Sequence, residues 1–155
     1  SHNNGRYQVE AYASEPLPQN AVVEQAINND EAVGEAIRRA IGRTRSSAKQ
    51  GAIAVAGSAV ITKTVQMPGD LSDDEMDFQV RAEADQYIPY PLEEVALDWE
   101  IQGATDGSPD MVDVLLAACR SETVERRKDA IEYANIEAKV VDIEDFCTDR
   151  DFKLI

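Results

Sequence analysis

The chain has 155 residues, 43% of them hydrophobic, and carries 30 acidic against 15 basic side chains for a formal charge of −15. That length suits one domain or one large piece of a longer protein, with enough apolar residues for a sizeable core. The charge argues against a nucleic-acid partner and against direct docking on anionic lipid, both of which need a basic footprint; it suits solubility and a basic peptide or protein partner.

Ser1-His2 resembles the scar of a cleaved expression tag, and residues 1–5 are expected to be an unstructured start. His2 is the only histidine, so with it set aside the chain lacks the residue for Ser–His or Cys–His catalysis and for the usual zinc sites. Arg6 to Ala13 alternates around Tyr7, Val9 and Ala11 and predicts a short strand, after which Pro16 and Pro18 open a loop. Val22, Val23, Ala26 and Ile27 are apolar without a start signal. Residues 31–45 give the clearest helix, with Val33, Ala36, Ile37, Ala40 and Ile41 on one stripe.

Ala52 to Ala56 predicts a short buried strand, Gly57-Ser58 a bend, and Val60 to Met67 a second strand closed by Pro68-Gly69. Ser72 and Glu75 form a capping box with Leu71 and Met76 as its staple. The helix it starts is expected to run to about Tyr87, with Met76, Val80, Ala84, Tyr87 and Ile88 on its apolar face. Pro89 and Pro91 then stop the helix and restrict Ile88 and Tyr90, making a stiff aromatic corner that serves either as a core joint or as a docking surface. Val95, Leu97, Trp99 and Ile101 alternate as a half-buried strand. Gly103 to Asp110 reads as a loose polar hairpin, and Val112 to Cys119 as an apolar strand. Ser121 caps a third helix that ends near Asn135, a left-handed C-cap. Ala138 to Ile143 is the last strand. From Glu144 another helix can begin, and Phe152, Leu154 and Ile155 form an apolar tail of the kind expected where a longer protein is cut. The order predicts an α+β fold with a mixed sheet and helices.

Two cysteines, Cys119 and Cys147, lack motif spacing; Cys119 is expected to be a buried free thiol in a cytosolic protein. No apolar run reaches the length of a membrane span, and the opening residues do not read as a signal peptide. The sequence spells no nucleophile elbow, zinc-protease helix, Walker lysine loop or dinucleotide fingerprint. Val55 to Ala59 could cradle a phosphate but reads first as a tight turn. Asp142, Glu144, Asp145, Asp149 and Asp151 could hold a metal but read first as a solvated helix start. Asp98 and Glu100 share a strand face and could form a carboxylate pair, though exposed strand carboxylates are ordinary.

Several runs together resemble the PilM family, actin-like proteins of type IV pilus assembly. They are Glu83 to Pro91 with Glu93 to Asp98, Ile53 to Lys63, Arg6 to Tyr12, Leu115 to Arg120 and Ala138 to Glu144. The resemblance implies an FtsA-like, actin-like ATPase first lobe with an inserted subdomain 1C. Residues 6–56 would be part of subdomain 1A, 57–136 subdomain 1C, and 137–155 the return into 1A. It implies a cytoplasmic scaffold, peripheral to the inner membrane, that binds the short N-terminal tail of PilN, a single-span membrane protein, and links to pilus motor ATPases. ATP with Mg belongs to the full-length family; its phosphate loops are expected to lie outside this chain, so no cofactor, catalytic residue or metal is expected here. An incomplete 1A is expected to expose sheet edges and to allow a homo-oligomer. The family's peptide groove lies between 1A and 1C, which implies partner contacts at Gly57, Ser58 and Ala59 and at Val140, Val141 and Asp142, with Tyr87 and Ile88 as the corner candidates. The rival readings are actin-like ATPase activity in the full-length protein and a self-assembly module.

Overall fold

The computed structural model describes residues 2–3, 6–7 and 9–144. In chain order the elements are β1 (His2–Asn3), β2 (Arg6–Tyr7), β3 (Val22–Val23), β4 (Ala26–Ile27), α1 (Asp30–Thr44), β5 (Gln50–Val55), β6 (Ile61–Pro68), α2 (Asp73–Ala84), β7 (Val95–Thr105), β8 (Ser108–Arg120), α3 (Ser121–Tyr133) and β9 (Glu137–Ile143). The fold class is α+β, as expected. The chain divides into two compact units: one joins the residues up to Ala54 with Glu125–Asp142, and the other is built on Val55–Val124. The third helix contributes its first residues to the second unit and the remainder to the first.

In the first unit the expected strand over 6–13 is confined to Arg6–Tyr7, which pair with Asn3 and His2 inside the stretch expected to be an unstructured start. From Val9 to Pro18 no strand forms, and Tyr12 is 85% exposed. Alternation alone does not make a strand when no partner supplies the ladder. Val22–Val23 and Ala26–Ile27 form a minimal antiparallel hairpin, whose turn residues Glu24 and Gln25 both take positive φ. Asn29 caps α1 by accepting from the Ala32 amide at 2.9 Å. Val33 and Ala36 are buried on the predicted stripe, and Val33 clusters with Ala21 and Ala130. Gly34 is required where α1 meets α3: a Cβ there would lie 2.6 Å from the Ala130 carbonyl oxygen and 2.6 Å from Tyr133 Cβ. Strands β5 and β9 pair as a two-stranded sheet.

Polar contacts complete this unit. Glu15 Oε1 accepts from Arg39 Nε at 2.8 Å, while Oε2 lies 2.8 Å from Arg43 Nη1 in an ion pair without hydrogen-bond alignment. Arg127 donates to the carbonyls of Ala54 and Gln25, and Tyr133 Oη donates to Glu31 at 2.7 Å.

The second unit holds an antiparallel sheet in the order β6-β8-β7 with α2 packed on it. The capping box forms as predicted: Ser72 Oγ accepts from the Glu75 amide, and Glu75 accepts from the Ser72 amide at 2.9 Å. The apolar face of α2 buries Met76, Val80 and Ala84. Met76 and Val80 cluster with Val65 and Met67 of β6 and with Val114 and Leu116 of β8. Each such side chain contributes about 1.5–3 kcal/mol by leaving water. Trp99 packs beside them and donates from Nε1 to Asp77 Oδ1 at 3.3 Å.

The loose hairpin expected over Gly103–Asp110 is instead tight. Thr105 pairs with Ser108 across Asp106-Gly107, and Gly107 takes φ +78°. The ladder slips beside Ile101 and again beyond Ala104, where Pro109 has no amide to offer. Cys119 is half-buried rather than buried, because successive side chains of β8 alternate between faces and its turn falls on the outer one. Asn135 takes the expected left-handed conformation, at φ 62°. Cys147, the tail from Phe152 and the acids beyond Glu144 lie outside the described residues. Among the described residues, no three His, Cys, Asp or Glu side chains converge on a metal position, and no helix is long and apolar enough to cross a membrane.

Candidate functional site

The double-proline corner is built from its backbone outward. Past Ala84 the helix tightens: the Tyr87 and Ile88 amides both donate to the Ala84 carbonyl, at 3.0 and 2.9 Å. That turn separates the two residues expected to share a face. Ile88 stays in the core, 7% exposed, against Ala84 and Ala118. Tyr87 is 42% exposed, and its ring sits 5.0 Å from Lys63 Nζ, so it does not continue the apolar face of α2. After Pro91 a 3-10 turn, Leu92–Glu94, redirects the chain into β7.

A cavity of about 220 Å³ opens beside this corner, wholly within the second unit. Ser58 and Ala59 of the 3-10 turn Gly57–Ala59, with Val60 and Ile61 at the start of β6, form one wall. Ile88, Tyr90 and Val95 form another, and the end of β8 and Thr123 of α3 complete it. Arg120 is held at the mouth with its guanidinium 4.1 Å above the Tyr90 ring, a contact that the pairing of Arg120 with Val95 places there. Strands β6 and β7 pair only with β8 among the described residues, so the outer edge of β6 runs away from this rim unpaired.

Of the residues singled out from sequence, the cavity brings together Ser58, Ala59 and Ile88. Gly57 lies in the same turn. Val140, Val141 and Asp142 lie on β9 in the first unit, where Val140 and Val141 are 49% and 39% exposed. Tyr90, Cys119, Arg120 and Thr123 were not singled out as site residues; Tyr90 stood on the predicted corner, but only the β7–β8 register shows that Arg120 reaches it. The carboxylate pair does not form a site: Asp98 accepts from the Trp99 amide and Glu100 lies near Gln102, both exposed.

The family model described as Type IV pilus assembly protein PilM matches residues 1–155. The chain belongs to the PilM family. A PilM-family chain should superpose on solved relatives, and it does. It matches a chain of the structure described as the PilM-PilN type IV pilus biogenesis complex at 29% identity and a TM-score of 0.79, over 88% of its own length. It spans 41% of the length of that chain. It also matches the cytoplasmic domain of EpsL, an inner-membrane component of the type II secretion system of Vibrio cholerae, at 18% identity and a TM-score of 0.49, covering 74% of this chain and 42% of that one.

Proposed function

We propose that this chain serves type IV pilus assembly as a docking scaffold that receives the short N-terminal cytoplasmic tail of PilN at the cavity of its second unit. The observation that carries this reading is the match, at a TM-score of 0.79, to a chain of a PilM-PilN complex. The cavity supports it on size. Small-molecule sites span about 300–1,000 Å³, whereas about 220 Å³ suits one large apolar side chain better than a nucleotide. The edge of β6 that is unpaired among the described residues starts at the same rim, and extended peptides bind such edges through main-chain hydrogen bonds, with pockets for alternate side chains. The charge of −15 favours encounter with a basic tail. Gly57, Ser58, Ala59 and Ile88 are the proposed contacts, with Tyr87 beside them. On this reading the protein works at the cytoplasmic face of the inner membrane, held there by its partners, and the chain performs no catalysis and binds no ATP or Mg by itself.

Titration with a labelled PilN N-terminal peptide tests the proposal. Saturable binding is expected, and Ser58→Trp, which fills the cavity mouth, should abolish it while circular dichroism stays native. Unchanged affinity in the folded variant would move the site elsewhere. Val140→Asp in the same assay asks whether β9 also touches the tail. Calorimetry with Mg-ATP is expected to show no specific heat.

A second reading, self-association, is favoured by the exposed Val140 and Val141 on a two-stranded sheet. Sedimentation over a range of concentrations decides it.

A further inference from the structure

The chain has twice as many acidic as basic side chains, so an arginine would be expected to find a carboxylate nearby. Arg38, Arg39, Arg43, Arg81 and Arg126 each do so. Arg120 does not. Among the described residues it makes no ion pair, and its guanidinium is placed by the Tyr90 ring alone. Among the described residues it is also the only charged side chain lining the cavity. A stacked guanidinium keeps its edge N–H groups available, and that planar fork matches a carboxylate. Thr123, in the first turn of α3, stands on the same wall.

We propose that Arg120 reads a carboxylate on the docking peptide: an Asp or Glu side chain next to the apolar residue that enters the cavity. The inference rests on the docking reading above and sharpens it. The overall negative field draws a basic tail toward the protein, and Arg120 sets the register of that tail by demanding one acid at one place.

The test uses the full chain and synthetic peptides of the PilN cytoplasmic N-terminus, measured by fluorescence anisotropy. Arg120 is exposed, so Arg120→Glu and Arg120→Gln should keep the fold, which circular dichroism checks. Each variant is expected to weaken the native peptide by about tenfold or more. Neutralising one particular Asp or Glu of the peptide should cost the same with the unaltered protein and nothing further with Arg120→Gln. Arg120→Glu paired with Lys at that peptide position should regain most of the affinity. If the peptide binds Arg120→Glu and Arg120→Gln as tightly as the unaltered protein, or if no acid in the tail matters, the inference falls and the docking reading stands. If the unaltered protein does not bind the tail, both fall together.

Discussion

The two units are held together by different means. The second buries large side chains, Met67, Met76, Leu116, Val80 and Val114, in one cluster between α2 and the three-stranded sheet. The first buries mostly small ones, Ala21, Val33, Ala36, Ala130 and Ala134, beside Ile131 and Ile136, and adds ionic and hydrogen-bonded ties through Glu15, Arg127 and Tyr133. Hydrophobic burial scales with the area removed from water, so the second unit carries the larger share of cohesion. The first depends on close backbone approach and on salt-sensitive contacts.

Leu116→Ala makes the strongest test. It should cost about 2–5 kcal/mol by leaving a cavity in the larger cluster. Amide hydrogen exchange is expected to accelerate through β6, α2, β7 and β8 more than through β5 and β9. Uniform acceleration would mean that the two units unfold as one. Gly34→Val is the counterpart in the first unit. Its side chain would collide with Ala130 and Tyr133, with an expected cost of about 1–3 kcal/mol by overpacking, and exchange should rise in α1 while α2 stays protected.

Glu15→Ala should cost about 1 kcal/mol. Its effect should shrink when urea denaturation is repeated in high salt, whereas that of Leu116→Ala should not. Equal salt response in the two variants would remove the distinction between the units.

The smallest effects concern pH, and they fall on opposite sides of neutrality. In the second unit Glu75 is held below its ordinary value, chiefly by the Ser72 hydroxyl, and Asp77 chiefly by its hydrogen bond from Arg81. A depressed carboxyl stabilises the fold above its unfolded value, and that contribution is lost as the pH falls through the folded one. In the first unit Tyr133 is raised, chiefly by its hydrogen bond to Glu31. Its contribution is complete below the unfolded phenol value of about 10 and is lost as the pH rises through the folded value. Thermal melts of Asp77→Asn should therefore depend less on pH in acid than those of the unaltered chain. Those of Tyr133→Phe should depend less on pH in alkali.

Local signals served the sequence reading well wherever the cause was local. The three helices start within a residue of where periodicity and caps put them, because Ser72 with Glu75 acts on its own neighbours, as does the left-handed Asn135 after α3. But α2 ends at Ala84 rather than near Tyr87, and Ser121 opens α3 instead of capping it. The Asp106-Gly107 turn was equally legible, since this dipeptide is a strong hairpin signal, yet the surrounding polar residues suggested something looser. The β3–β4 hairpin was not legible, because Glu24 and Gln25 adopt positive φ without the usual Gly or Asn. Tyr87 fell off the expected face because the tightening after Ala84 comes before the first proline. For the site, the stiff corner and the Ser58 turn could be read from residues. The placement of Arg120 on Tyr90 could not, since it depends on how β7 and β8 register over their whole length.

The single tryptophan of the sequence, Trp99, sits on β7 with its indole N–H turned to Asp77 of α2. The cluster it packs against belongs to the second unit. Indole emission therefore reports first on the packing of the second unit. Excited at a wavelength that tyrosine does not absorb, the protein should show the loss of the α2–sheet contact as a red shift, while backbone dichroism reports both halves at once. The lag between the two signals on heating measures how independently the halves melt, with no label attached.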